Sequence, residues 1–281
     1  MKTTNNLLKV QAMDTVNLKK LQHLQLEMLM EVDRICRKHE IKYIICFGTL
    51  LGAVRHKGFI PWDDDVDIAM VRSEYEKFCR ICSIELNHEK FFLQTHETDT
   101  EYRWGYGKLL KNGTTFVRYR QQHLKMRQQV YIDIFPMDGV PEGYFARKWF
   151  NAVRLICRKI MWSEVGKVCC KSAVMRGWFR LLNCISVEKV FAVLEHLSHK
   201  YNEKNSEYVT CLSFSDLWVK GYKGHKKEFF INTKEGEFEG EVVKIPIHAE
   251  EMLRASYGDD FMQPPPLEER VPHATAAYFD F

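Results

Sequence analysis

No run of about eighteen uninterrupted apolar residues occurs in this 281-residue chain, which leaves no candidate for a membrane-spanning helix. The opening residues, MKTTNNLLKVQAM, lack the apolar core of roughly 7–15 residues that marks a secretory signal. Nine cysteines, an odd number spread from Cys36 to Cys211, make no disulfide framework in a chain of this size, so a reducing compartment is expected. Together these absences predict a cytoplasmic protein. No period repeats and nothing is low-complexity, which excludes solenoids and propellers. At 46% apolar and 28% charged, the chain is neither disordered nor collagen-like. Acidic residues are locally scarce as well: from Arg147 to Arg180 nine Lys/Arg meet only Glu164, a local +8. The remainder holds 32 basic and 36 acidic residues, so the net charge of +4 averages a mildly acidic body with one basic, aromatic-rich stretch.

What is present reads as α+β, a mixed sheet with flanking helices and a helical insertion. Leu18, Leu21, Leu24, Met28, Val32 and Ile35 recur at helical spacing and predict a helix over 16–40. A buried strand is expected over 43–47, a short helix over 49–56 and a second strand over 66–71. Ser73 would cap a further helix to about Leu86. Strand-like segments follow at 91–95, 107–110, 114–118 and 130–135, then a proline-free helical block over 143–204, a β region over 208–247 and a helix over 248–257.

The densest chemistry lies between Gly48 and Asp67, where Asp63, Asp64, Asp65 and Asp67 crowd into five residues. Four adjacent carboxylates repel one another unless cations neutralise them. If that stretch is extended, its period of two places Asp63, Asp65 and Asp67 on one face, where carboxylates can hold Mg²⁺ or Mn²⁺, the hard cations of phosphoryl transfer. An EF-hand loop would instead need glycine where Ile68 stands. A solvated acidic turn is the plain alternative. Gly48-Thr49 at a helix start can offer free N–H groups to a phosphate, and Arg55, His56 and Lys57 can neutralise its oxygens, although a solvated basic helix end reads equally well. Asp133, inside the apolar run Val130-Tyr131-Ile132-Asp133-Ile134-Phe135, would be costly unless paired or metal-bound, and is chosen as third ligand beside Asp65 and Asp67. Asp138, before Gly139, reads as a turn residue.

The blocks Gly48-Thr49-Leu50-Leu51-Gly52-Ala53-Val54-Arg55-His56, Pro61-Trp62-Asp63-Asp64-Asp65-Val66-Asp67, Tyr106-Gly107-Lys108-Leu109 and Asp133-Ile134-Phe135-Pro136-Met137-Asp138-Gly139 resemble the LicD family of phosphocholine transferases, of which fukutin-related protein is a eukaryotic relative. The likeness runs over about 25–275 and divides the chain into an N-terminal segment (1–25) and one domain (26–281) that includes the basic block. It implies a nucleotidyltransferase-like fold, with Gly48 and Thr49 at the phosphates, Asp65 and Asp67 as the Asp-x-Asp pair, Asp133 as the third acid and Asp63 as a further ligand or its support. It also implies transfer of an alcohol phosphate from a CDP-alcohol such as CDP-choline to a sugar hydroxyl of a cell-surface glycan or its lipid-linked precursor, in lipopolysaccharide or capsule biosynthesis. Transfer of a nucleoside monophosphate and an inactive glycan- or membrane-binding module remain alternatives. Lys108 can contact a phosphate or shield a strand edge, and His273 can act as base or phosphate contact or be a surface tail residue.

Over 147–161 a helix would turn Phe150, Val153, Cys157, Ile160 and Met161 to one side and Arg147, Arg154 and Arg158 to the other. That pattern suits either peripheral docking on an anionic membrane, at its inner face, or packing on the core. No nucleic-acid-binding motif accompanies it, so nucleic acid is not an expected partner.

Overall fold

Apolar residues at helical spacing form α1 (Thr15–Lys38), capped by Asp14, whose carboxylate accepts the Asn17 N–H at 2.8 Å. Its buried face carries Leu21, Met28, Leu29, Val32 and Ile35, with two glutamines, Gln22 and Gln25, set among them. A computed structural model describes residues 11, 13–214, 223–272 and 276–281. The elements after α1 are β1 (Ile44–Ile45), α2 (Phe47–His56), β2 (Asp67–Val71), α3 (Arg72–Glu85), β3 (Phe91–Gln94), β4 (Gly107–Lys111), β5 (Thr115–Arg118) and β6 (Tyr131–Gly139). Four helices follow, α4 (Tyr144–Met161), α5 (Ser163–Cys169), α6 (Ala173–Leu182) and α7 (Val187–Asn202). The chain then forms β7 (Tyr208–Thr210), β8 (His225–Lys226), α8 (Glu228–Ile231), β9 (Thr233–Phe238), β10 (Glu241–Pro246), α9 (Ala249–Tyr257) and β11 (Ala276–Asp280). The architecture is the mixed α+β arrangement that the sequence predicts.

The main sheet runs β1-β2-β6-β4-β3, with β7 and β8 continuing from the far end of β6. Strands β2 and β6 are parallel, while the neighbouring pairs β1/β2, β6/β4 and β4/β3 are antiparallel. A parallel pair needs a crossover, and α3 with the β3–β5 segment supplies it. Both central strands are buried along nearly their whole length, as expected when both faces are covered.

Several local expectations change. The run 43–47 gives only two paired residues, and α2 begins at Phe47, two residues before Thr49. Phe47 enters with φ at 49°, a left-handed conformation that bulky side chains avoid, and its ring is held 5.8 Å from that of Phe135. Val71, not Ser73, precedes α3, so strand passes directly into helix. Asp138 is no turn residue: it lies inside β6, fully buried, with Arg72 bonded to both its oxygens at 2.8 and 2.6 Å. Ser198 Oγ and Asn202 Nδ2 of α7 also donate to it, at 2.6 and 2.9 Å. A buried carboxylate needs such partners, and here they tie the helical block to the sheet.

The block has an apolar cluster of its own, in which Phe150, Cys157, Ile160 and Met161 of α4 meet Val190, Leu194, Leu197 and Tyr201 of α7. Arg154 belongs to this inner face rather than to the solvent side that its spacing suggested. It is buried and donates to the carbonyls of Cys211, Phe214 and Leu212 at 2.7, 2.6 and 3.2 Å. Main-chain carbonyls gathered after β7 need donors once they are buried, and the guanidinium supplies three of them at once, which is the physical reason a cation is drawn inward.

Candidate active site

Asp67 opens β2 and is the register partner of Asp133 on β6, while Asp133 is paired on its other side with Lys108 of β4. Three ionisable side chains from three strands therefore lie in one row. Lys108 Nζ donates to Asp133 Oδ1 at 2.6 Å and sits 3.2 Å from the centroid of the Tyr131 ring. Burial lowers the Lys108 ammonium to about 8 against the pull of Asp133. Lys108 is thus an interior residue between β6 and β3 and not an edge lysine. Burial, and then the charges of Asp65, Asp133 and Asp63, push the Asp67 carboxyl well above the usual carboxylate range. Arg118, on β5, is held firmly protonated, first by Tyr131 and also by Asp133 and Asp65.

The extended stretch expected across Asp63, Asp65 and Asp67 is not formed: residues 61–66 make a turn and loop, and the strand starts at Asp67. Alternation therefore does not apply to the first two acids. Asp63, Asp64 and Asp65 instead turn one oxygen each to within 4.8 Å of one another. Asp63 and Asp64 are buried, and burial with the Asp64 charge raises the Asp63 carboxyl to about 6. No EF-hand forms either, since its twelfth position, Glu74, lies on α3 and accepts the Lys42 N–H at 3.2 Å.

Side chains distant in sequence hold this loop. From α1, Gln22 Nε2 donates to the Asp63 carbonyl at 2.8 Å, and Gln25 Nε2 to the carbonyls of Asp64 at 2.8 Å and Tyr131 at 3.2 Å. Polar residues amid the apolar stripe of α1 were the available signal for this contact. From the tip between β9 and β10, Glu239 accepts the Phe59 N–H at 2.8 Å and returns its own N–H to the Lys57 carbonyl at 2.8 Å. Nothing in the local sequence announces that clamp.

The first turn of α2 meets the acids. Thr49 Oγ1 accepts the Asp67 N–H at 2.8 Å, and a Cβ on Gly48 would stand 2.9 Å from Asp63 Oδ2, so a side chain there would displace the carboxylate from its present position. At the other end of α2, a Cβ on Gly52 would meet the Gly58 carbonyl oxygen at 2.4 Å, and this absence of a side chain lets residues 57–60 fold back toward the acids. Arg55 is turned to the C-terminal segment, donating to the carbonyls of Phe261 at 2.9 Å and Gln263 at 3.3 Å, and its Nε bonds His56 Nε2 at 2.9 Å. His56 and Lys57 are exposed, with the His56 ring 6.5 Å from Trp62. Burial of its hydroxyl, and then the charges of Asp67, Asp63 and Asp65, raise Tyr257, which closes α9, above the usual tyrosine range. His273 lies outside the described residues.

Trp104, Lys108, Phe116, Arg118 and Tyr131 line a small cavity at the row. Tyr106, packed on Phe135 at 4.9 Å, also borders a larger cavity of about 440 Å³ between α3, β3 and α7. Clustered hard oxygens, with two carboxyls raised by burial and mutual repulsion, fit a divalent cation of the magnesium type. The arrangement joins carboxylates, two cations and a helix start around one end of β2 and β6.

The profile of the family described as LicD/FKTN/FKRP, nucleotidyltransferase domain, matches residues 40–159. Over 249 residues, 85% of this chain and 89% of the relative, the chain is 31% identical to a Haemophilus influenzae protein named lipopolysaccharide cholinephosphotransferase LicD. A shorter match, 44% identical over 55 residues (20% of this chain, 18% of the relative), is to an uncharacterized protein of Rickettsia typhi. Another, 46% identical over 48 residues (17% and 18%), is to an uncharacterized protein of Rickettsia prowazekii. The long match takes in the acid loop, the Asp67–Asp133–Lys108 row and most of what surrounds them, and the chain belongs to the LicD family.

Proposed function

We propose that this protein transfers an alcohol phosphate, phosphocholine foremost, from a CDP-alcohol such as CDP-choline to a sugar hydroxyl of a cell-surface glycan or its lipid-linked precursor. The observation that carries the reading is the Asp67–Asp133–Lys108 row facing the start of α2, in a chain 31% identical to a lipopolysaccharide cholinephosphotransferase. Donor and acceptor would meet on the cytoplasmic side of the membrane.

Asp65, Asp67 and Asp133 would hold Mg²⁺ or Mn²⁺, with Asp63 and Asp64 completing the carboxylate set. When bound, the cation draws negative charge off the pyrophosphate of the donor. Lys108 and Arg118 supply fixed positive charge for phosphate oxygens, and Gly48 and Thr49 present the first turn of α2 to the donor. The sugar oxygen bonds to the phosphorus that carries the alcohol, the bond from that phosphorus to the bridging oxygen breaks, and CMP leaves with the electron pair. The hydroxyl proton passes to a carboxylate of the cluster.

Incubation of the protein with CDP-choline, CDP-ethanolamine, CDP-glycerol and CDP-ribitol, with a lipopolysaccharide acceptor and either Mg²⁺ or a chelator, tests the reading. CMP release that requires metal and acceptor is expected, fastest with CDP-choline. Pyrophosphate release from a nucleoside triphosphate would replace it with nucleotidyl transfer, and metal-insensitive melting without turnover would replace it with a binding module.

A further inference from the structure

The helices α4 and α6 each carry a stripe of largely exposed apolar side chains. On α4, Phe150, Cys157 and Ile160 point into the cluster shared with α7. Phe145, Trp149 and Ile156 follow one another at helical spacing on a different face and are 83%, 70% and 57% exposed. On α6 only Phe179 is buried, while Val174, Trp178 and Leu181 are 81%, 53% and 67% exposed. Eleven of the twenty-one exposed large hydrophobic side chains among the described residues fall within 144–185, a concentration that water disfavours and that marks an interaction surface.

Charge identifies what covers it. Of the nine Lys/Arg between Arg147 and Arg180, Arg154 is buried in the block and Lys167 pairs with Glu164 at 2.8 Å. The other seven make no ion pair among the described residues. A second copy of this chain would bring like charges face to face, which opposes self-association through this surface. Exposed tryptophan and aliphatic side chains flanked by unpaired cations match instead the boundary of an anionic bilayer, where apolar rings leave water and ammonium and guanidinium groups meet lipid phosphate.

We propose that α4 and α6 dock the protein on an anionic membrane surface through Phe145, Trp149, Ile156, Val174, Trp178 and Leu181, with Lys148, Arg158 and Lys159 among the cations at the lipid headgroups. This proposal is independent of the transfer reaction, since its test involves no substrate. The full-length protein is floated with vesicles of phosphatidylglycerol and phosphatidylcholine in equal parts, and with phosphatidylcholine alone. Recovery on the anionic vesicles is expected, with a blue shift of tryptophan emission and a loss of binding in about 0.5 M salt. Trp149→Ser/Trp178→Ser and Lys148→Glu/Arg158→Glu/Lys159→Glu should each lower partitioning at least about tenfold, with melting temperatures unchanged because all five side chains are exposed. Arg154 is left intact in both variants because it is part of the interior. Equal recovery of wild type and both variants would overturn the proposal, as would absence of flotation on anionic vesicles. Concentration-dependent dimerisation lost in the same variants would assign the face to a second copy, and duplex DNA competing the protein off vesicles at equal phosphate would assign it to nucleic acid.

Discussion

Asp67 and Asp133 stand opposite each other in the parallel pair β2/β6, yet Asp133 has the Lys108 ammonium at 2.6 Å whereas, after burial, the charges that act most on Asp67 are the carboxylates of Asp65, Asp133 and Asp63, with Lys108 opposing them more weakly. The two acids should therefore respond differently to the same substitution. Asp67→Asn and Asp133→Asn are each expected to lower turnover by about 10²-fold or more. Asp67→Asn should leave stability equal or higher, because it removes a buried, repelled charge. Asp133→Asn should cost about 3–5 kcal/mol, since it strands Lys108 in the interior. Chemical denaturation decides, and Lys108→Met added to Asp133→Asn should restore most of the stability with no return of activity.

Gln25 is a positioning residue for the acid loop. Replacing it with leucine leaves the carbonyls of Asp64 and Tyr131 without their donor, an expected cost of about 1–3 kcal/mol. The loosened loop should also need more Mg²⁺ for half-maximal activity, while the rate at saturating metal falls less. A metal titration of wild type and Gln25→Leu separates this from plain destabilisation, which would lower both alike.

Arg154 and Arg158 lie one turn apart on α4 and should behave as different kinds of residue. Arg154→Met removes the donor to three main-chain carbonyls and should cost about 3 kcal/mol or more. Arg158→Met changes an exposed side chain and should stay within about 0.5 kcal/mol of wild type. Urea denaturation of the two variants checks the contrast.

His96 stacks on Phe191 of α7, ring centroids 4.0 Å apart, and burial lowers its imidazole below the usual histidine range despite Glu97 and Glu195. The folded protein therefore resists a proton that the unfolded chain accepts. Stability from the neutral ring is complete above the ordinary histidine value of about 6.5 and is lost as the pH falls below it. Wild type should lose more stability between about pH 7.5 and pH 5 than His96→Phe, which keeps the stacking and removes the titration. Parallel slopes for the two proteins would dismiss this role.

The strands β2 and β6 and the helix α3 were legible because their apolar runs and helical spacing are local properties. So was the need of Asp133 for a partner, since a lone charge inside an apolar strand is costly. The sequence could not show that this partner includes Lys108, because strand register depends on the whole sheet. Nor did it show that Asp63, Asp64 and Asp65 leave the strand, as the forces bending them come from Gln22, Gln25 and Glu239, far away in the chain. Arg154 misled for a related reason: its spacing on α4 was read as the solvent side, but the carbonyls that recruit it lie more than fifty residues downstream.

The clamp formed by Glu239 has a consequence for how the protein is made. Residues 57–65 are fastened on one side by glutamines from the first helix and on the other by a hairpin near residue 240, so the segment 40–159 holds neither fastening. During synthesis α1 and the acid loop emerge long before the hairpin does. The fastening of residues 57–59 by Glu239 can form only after residue 239 has left the ribosome, so this side of the acid loop is secured late, by the finished chain.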